Sequence, residues 1–185
     1  MRSMFHIRTQ GLLTIVAAAL LAGCGPARNE GTARTMPPEV VQHVDLDRYL
    51  GTWHEIARYP NRFQRGCTAT TATYSMREDG KVRVLNRCRS GSPEGPEREA
   101  EGKAWVVDPS TGARLKVQFF WPFRGDYWII GLGENYEYAV VGHPRRKYLW
   151  ILSRTPDMDP ALYEAVLEGV VRNGYDPSKL IRTIH

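Results

Sequence analysis

Apolar and polar residues alternate in eight short stretches of this chain, and a period of two residues is typical of β-strands with one buried face. Turn sequences such as Asp79-Gly80 separate these stretches. The predicted strands lie within residues 49–60, 69–76, 82–88, 101–107, 115–119, 126–132, 136–142 and 148–154. Eight short, evenly spaced strands predict an all-β sandwich or a closed barrel, and the alternation alone does not decide between the two.

Beyond residue 154 the apolar positions change to a helical spacing. Asp159 suits a helix N-cap, Pro160 suits the first helical position, and Gly174 suits the C-terminal cap. The apolar stripe between them consists of Leu162, Ala165, Val166, Gly169 and Val170. The sequence therefore predicts one α-helix after the last strand, and residues 178–184 are a candidate for a further short strand.

Residues 1–23 have the pattern of a signal peptide. A basic segment with Arg2 and Arg8 precedes an apolar stretch that is too short to cross a bilayer. The stretch ends in Leu21-Ala22-Gly23-Cys24, and small residues before a cysteine resemble the lipobox of bacterial lipoproteins. This resemblance implies cleavage before Cys24 and lipidation of its thiol. The alternative is an ordinary secretory signal with an incidental cysteine.

The residues after the lipidation site indicate where the protein resides. Gly25 stands where an aspartate would favour retention in the inner membrane, so the lipobox resemblance implies a lipid anchor in the bacterial outer membrane. Residues 24–43 are rich in Pro, Gly, Asn, Thr and charge, which predicts a flexible tether. Residues 44–185 then form the predicted domain, which is long enough for one hydrophobic core.

The charge of the chain limits its partners. The formal net charge is +5, and it falls to +3 when Arg2 and Arg8 leave with the signal peptide. Such a mild excess favours an anionic membrane surface or an acidic ligand, but it is too diffuse to indicate nucleic acid. The sequence also lacks zinc-finger spacing and clusters of His, Asp and Glu with metal-ligand spacing, so neither a metal nor another cofactor is expected.

Cys67 and Cys88 flank a predicted hairpin that turns at residues 77–80. Folding about this turn brings the two cysteines nearly opposite each other, which predicts a disulfide in an oxidising compartment. The alternatives are two free thiols, or a nucleophile at Cys67 with His54 or His143 as its base. Neither histidine belongs to a recognisable Cys–His motif.

Two distant motifs resemble those of the lipocalin family. Gly51-Thr52-Trp53 opens the first strand, and Arg154 ends the last strand, where lipocalins carry an arginine that lies across that tryptophan. The resemblance is to the bacterial outer-membrane lipoprotein branch and runs from about residue 44 to 184. Of the family's second motif, Thr-Asp-Tyr, only the aromatic residue Tyr136 is present.

This resemblance implies an eight-stranded up-and-down antiparallel barrel with one C-terminal α-helix packed outside. Gly51, Trp53 and Arg154 would form the closed end. If Arg154 reaches inward, alternate residues of the last strand point inward as well, and the apolar face of each other strand supplies the rest of the lining. The predicted ligand-binding residues are Ala57, Val84, Asn86, Ala104, Val106, Val117, Phe119, Tyr127, Ile129, Ala139, Val141, Tyr148 and Trp150.

The resemblance also implies a function, which is to bind a fatty acid or lysophospholipid for lipid storage, transport or envelope maintenance. We therefore predict that the protein is not an enzyme. Two alternatives stay open: a lipocalin-fold enzyme acting on a lipophilic substrate, and a structural lipoprotein with a filled barrel. An enzyme would need a reactive cysteine or an inward acid such as Glu55, for which a neighbouring Arg or Lys partner is expected.

Overall fold

The structure is a computed structural model that describes residues 36–185. The predicted signal peptide, the lipidation of Cys24 and the first part of the predicted tether lie outside the described residues. Within the described part of the chain, no helix is both long enough and apolar enough to cross a membrane.

Eight antiparallel strands close into a barrel. The elements in chain order are α1 (Leu46–Tyr49), β1 (Gly51–Arg58), β2 (Cys67–Met76), β3 (Val82–Ser90), β4 (Glu97–Val106), β5 (Arg114–Gln118), β6 (Gly125–Leu132), β7 (Tyr138–Gly142), β8 (Leu149–Ser153), α2 (Pro160–Arg172), a 3₁₀-helix (Pro177–Lys179) and β9 (Ile181–Arg182). Each strand from β1 to β7 pairs with the next, and β8 pairs back with β1. The predicted up-and-down barrel with one C-terminal helix is therefore confirmed, and the sandwich is excluded.

The up-and-down order places the connections alternately at two ends of the barrel. The loops at residues 59–66, 91–96, 119–124 and 143–148 lie at one end, which we call the mouth. The opposite, closed end carries α1 and the connections at residues 77–81, 107–113, 133–137 and 154–159.

Two apolar clusters lie on the two faces of the sheet. One fills the inside of the barrel and includes Trp53, Tyr74 and Leu152. The other lies between the outer wall and α2 and includes Ile151 and Val140 of the wall with Val166 and Val170 of α2. Because α2 covers the outer wall at β7, β8 and β1, both faces of these strands are buried, and their sequences read as nearly continuous apolar runs.

A β-bulge changes the predicted facing of β1. The register with β8 shifts between Glu55 and Ala57, so Ile56 is the extra residue. An extra residue inverts the alternation beyond it. Ala57 therefore packs in the outer cluster against α2, and its assignment to the ligand-binding lining is wrong. Arg58, which strict alternation places on the outer face, pairs with Trp150 and joins Glu55 in a buried ion pair.

Residues 36–43, assigned to the tether, lie against the barrel. Arg146 Nη2 donates to the Met36 carbonyl at 2.8 Å, and the Val41 amide donates to the Ile129 carbonyl at 3.0 Å. Val40 and Val41 pack against the apolar core, which the average composition of this segment did not indicate. The flexible-tether assignment is therefore wrong for this part of the segment. Since Arg146 is in a mouth loop, Met36 lies at the mouth.

The C-terminal segment closes a split in the barrel wall. Direct pairing of β1 with β2 ends at His54 and Thr71, and β9 pairs with β1 beyond that point. The Thr183 amide donates to the Ile56 carbonyl at 3.0 Å, and the Ala69 amide donates to the Ile184 carbonyl at 2.6 Å. The further short strand suggested by the sequence is thus present, and it links two barrel strands that would otherwise have unpaired edges.

Candidate functional site: the barrel interior

The closed end is sealed by Trp53 and Arg154. Trp53 is fully buried, and the guanidinium carbon of Arg154 lies 3.7 Å from the centroid of its ring. Gly51 has φ +94°, and a Cβ at this position would lie 3.3 Å from Arg154 Nη1, so glycine suits both the conformation and the close approach. The Arg154 guanidinium also donates to the carbonyl oxygens of Arg48, Leu50, Thr52 and Tyr136.

Three tyrosine hydroxyls meet inside the barrel above this seal. The hydroxyl of Tyr127 lies 2.7 Å from that of Tyr49 and 2.9 Å from that of Tyr74. We call these residues the tyrosine triad. Of the three, only Tyr127 could be predicted from the strand pattern, because Tyr49 belongs to α1, ahead of the first strand, and Tyr74 lies on β2, whose inward face the pattern left unassigned.

The triad has one hydroxyl hydrogen available for a further hydrogen-bond acceptor. Three hydroxyls carry three hydrogens, and the two contacts among them use only two. Burial raises the pKa of Tyr74 to about 12 and raises the pKa values of Tyr49 and Tyr127 well above their usual range. All three hydroxyls are therefore protonated at neutral pH, and one of them can donate to a polar atom inside the barrel.

The barrel is nearly filled near the triad and open above it. A cavity of about 20 Å³ lies beside the triad, which is room for about one water molecule. Toward the mouth, Asn86 pairs with Ala100 on the same inward face as the buried residues Val82 and Ala104. Asn86 is only half-buried and Ala100 is exposed, so the inward positions near the mouth reach solvent, and we call this upper part of the interior the cup.

Most of the predicted lining residues lie on this interior. The buried members are Val84, Ala104, Ile129, Ala139 and Val141, and the partly buried members are Val106, Val117, Phe119, Tyr127 and Trp150. A Cβ on Gly102 would lie 2.8 Å from Phe119 Cδ1, so this glycine makes room for the phenylalanine in the cup. Tyr148 lies at the rim, where its ring contacts those of Trp150 and Phe63.

A polar cluster lies buried beside the cup. Glu55 is 2% exposed and Arg58 is 7% exposed, and Arg58 Nη1 lies 2.8 Å from Glu55 Oε1. Thr183 Oγ1 and Gln64 Nε2 donate to the same carboxylate. The Gln64 side chain also accepts from Trp150 Nε1 at 2.8 Å. The predicted basic partner of Glu55 is therefore confirmed, whereas Gln64 and Thr183 come from a loop and the C-terminal segment, where alternation gives no signal.

The predicted disulfide joins Cys67 and Cys88, whose Cα atoms are 5.5 Å apart. It crosses the β2–β3 hairpin near the mouth, where the register pairs Cys67 with Ser90. Because both thiols are used in this bond, Cys67 is not available as a nucleophile. Among residues 36–185, no group of His, Cys, Asp and Glu is arranged to hold a metal ion.

Removing the disulfide with the double substitution Cys67→Ser and Cys88→Ser is expected to lower the free energy of unfolding by roughly 3 kcal/mol, because the bridge restricts the unfolded chain. Urea denaturation followed by circular dichroism measures this loss. Alkylation of the unreduced native protein is the control, and modification of both cysteines there would contradict the bridge.

Comparisons with known proteins agree with this architecture. The family model described as Lipocalin-like domain matches residues 44–185. Outer membrane lipoprotein Blc of Escherichia coli K12 is 45% identical over 92% of this chain and 95% of its own length. Temperature-induced lipocalin-1 of Arabidopsis thaliana is 42% identical over 78% of this chain and 81% of its own length.

Among solved structures, insecticyanin from the tobacco hornworm Manduca sexta superposes with a TM-score of 0.64 at 23% identity, covering 81% of this chain and 84% of that one. This likeness concerns the fold alone. The family model, in contrast, spans every strand of the barrel, including the Trp53–Arg154 seal, and the relatives cover most of the chain. The chain therefore belongs to the lipocalin family.

Proposed function

We propose that this protein is a membrane-anchored lipocalin that binds one fatty acid or lysophospholipid in the upper half of its barrel. The observation that carries this proposal is the solvent-accessible cup above a sealed end. Val117, Phe119 and Trp150 offer an acyl chain an apolar wall, and an apolar concave site with few polar groups is typical of lipid binding. The role is storage or transport of lipid, or maintenance of the envelope.

Polar groups around the cup support an amphipathic ligand. The Asn86 amide faces the cup, and the triad has an unused hydroxyl hydrogen at its base. The Asn86 amide can bond a carboxylate or ester oxygen in the cup, and the triad hydroxyl faces a space for one water molecule. The Glu55–Arg58 pair, in contrast, is already satisfied by its neighbours, so it stabilises the wall at the Gln64 loop. With Cys67 oxidised and Glu55 ion-paired, the interior supports binding better than catalysis.

Lipid extraction tests this proposal. A chain of residues 25–185, secreted behind a cleavable signal and purified without detergent, is expected to carry about one fatty acid or lysophospholipid, identified by mass spectrometry. A protein that carries no lipid and binds none when fatty acid or lysophospholipid is added would instead support the structural lipoprotein with a filled barrel.

The anchor is proposed from the sequence around Cys24 and from the relatives named outer membrane lipoprotein. Cys24→Ala, expressed behind a cleavable secretory signal in place of residues 1–23, is expected to be released from the membrane fraction by a high-salt wash, whereas the acylated parent resists that wash. Its thermal unfolding should match that of residues 25–185, which lack Cys24. Acyl-chain mass on Cys24 of the parent is the positive control, and its absence would refute the anchor.

A further inference from the structure

The mouth of the barrel carries an exposed aromatic surface. Phe120, Trp121 and Phe123, in the β5–β6 loop, are 75%, 84% and 77% exposed, and Phe63, in the β1–β2 loop across the mouth, is 55% exposed. These four are the only exposed Phe or Trp side chains in residues 36–185. Exposure of large aromatic side chains to water is unfavourable, so a patch of them marks a binding surface.

The charge of the mouth differs from that of the closed end. The mouth loops contain six basic residues and one acidic residue, Glu94. The closed-end connections, with α1 and its flanking residues 45 and 50, contain four basic and nine acidic residues. The basic residues of the mouth are Arg62, Arg65, Arg124, Arg145, Arg146 and Lys147. None of them forms a salt bridge with the described part of the chain.

The chain enters the described structure at the same end. Arg146, in a mouth loop, donates a hydrogen bond to the Met36 carbonyl. Met36 is twelve residues after Cys24. An extended chain of this length spans at most about 40 Å. An anchored Cys24 therefore allows the mouth to meet the membrane surface, with the acidic closed end turned away from it.

We infer that the mouth docks on an anionic phospholipid bilayer, with Phe120, Trp121 and Phe123 in the interfacial layer and the surrounding basic side chains at the lipid phosphates. Trp is enriched at membrane–water interfaces, and unpaired Lys and Arg are attracted by an anionic surface. The docked cup opens directly onto the bilayer, so a lipid ligand enters without crossing water. This inference adds a membrane contact and an orientation to the proposed function, whose lipid binding is measured separately.

Vesicle co-sedimentation of residues 25–185, which lack the anchor, tests the docking. Vesicles of equal parts phosphatidylglycerol and phosphatidylethanolamine are expected to bind the parent, with a blue shift of Trp emission, and phosphatidylcholine vesicles to bind it weakly. Phe120→Ser, Trp121→Ser and Phe123→Ser together should lower the affinity more than tenfold. Arg145→Gln and Lys147→Gln should each lower it about fivefold.

The matched control is Met76→Ser with Val107→Ser, which removes two exposed apolar residues at the closed end and should leave vesicle binding unchanged. Docking is overturned if the parent stays in the supernatant, or if this control loses as much binding as the mouth variant. It is also overturned if sedimentation velocity shows a dimer that does not bind vesicles and that the triple serine substitution abolishes. Binding of monomeric fluorescent fatty acid, measured without vesicles, reports on the proposed function independently.

Discussion

Trp53→Ala is expected to lower the free energy of unfolding by about 3–5 kcal/mol, because it removes a fully buried indole and leaves a cavity under the Arg154 guanidinium. The guanidinium loses a stacking partner that contributes on the order of 1–2 kcal/mol in a desolvated site. The Trp53 indole also donates to the Tyr49 carbonyl at 2.9 Å, so its loss loosens α1, which carries one member of the tyrosine triad.

Urea denaturation followed by far-UV circular dichroism measures this effect. The matched control is Trp105→Ala, because Trp105 is partly exposed on the outer face of β4 and is expected to cost less than about 1 kcal/mol. If the two variants unfold at the same urea concentration, the Trp53–Arg154 contact does not seal the barrel.

Trp150→Glu is expected to reduce fatty-acid affinity by more than tenfold while the protein stays folded. Trp150 lies on the inward face of β8 near the mouth, and the substitution places an unpaired carboxylate where the acyl chain would lie. The loss of the indole hydrogen bond to Gln64 should cost only about 1 kcal/mol of stability.

A titration with a fluorescent fatty acid, together with a thermal unfolding curve, separates the two effects. Trp105→Glu makes the same chemical change on the outer wall, opposite Lys116, and should leave the affinity unchanged. Trp150→Phe keeps the apolar surface and should retain most of the affinity. Parent-like binding by folded Trp150→Glu would show that the ligand lies elsewhere.

The eight strands and the helix could be predicted because alternation and capping are local signals. In β3, Val82, Val84 and Asn86 alternate with Arg83 and Arg87. Asp159 caps α2 because its side chain accepts a hydrogen bond from the Leu162 amide at 3.0 Å. The barrel itself could not be derived from alternation, since a sandwich has the same local pattern. It followed from the resemblance of Gly51, Trp53 and Arg154 to the lipocalin motifs.

The errors arose where tertiary contacts override the local pattern. Residues 55–59 are all buried, since the interior lies on one side and α2 on the other, so the sequence gives no sign of the bulge that exchanges Ala57 and Arg58. Gln64 reaches Glu55 from a loop, and Thr183 reaches it from the C-terminal segment. These contacts depend on how distant segments meet, which no window of neighbouring residues encodes.

Photo-crosslinking with a fatty acid that carries a diazirine on its acyl chain tests the central claim most directly. Irradiation of residues 25–185 with one equivalent of this probe, followed by peptide mass spectrometry, should label the cup residues Val117, Phe119 and Trp150. Unlabelled fatty acid or lysophospholipid should suppress the labelling. Labelling confined to exposed apolar residues outside the barrel, such as Val171 of α2 and Ile181 of β9, would contradict the claim that the barrel holds the lipid.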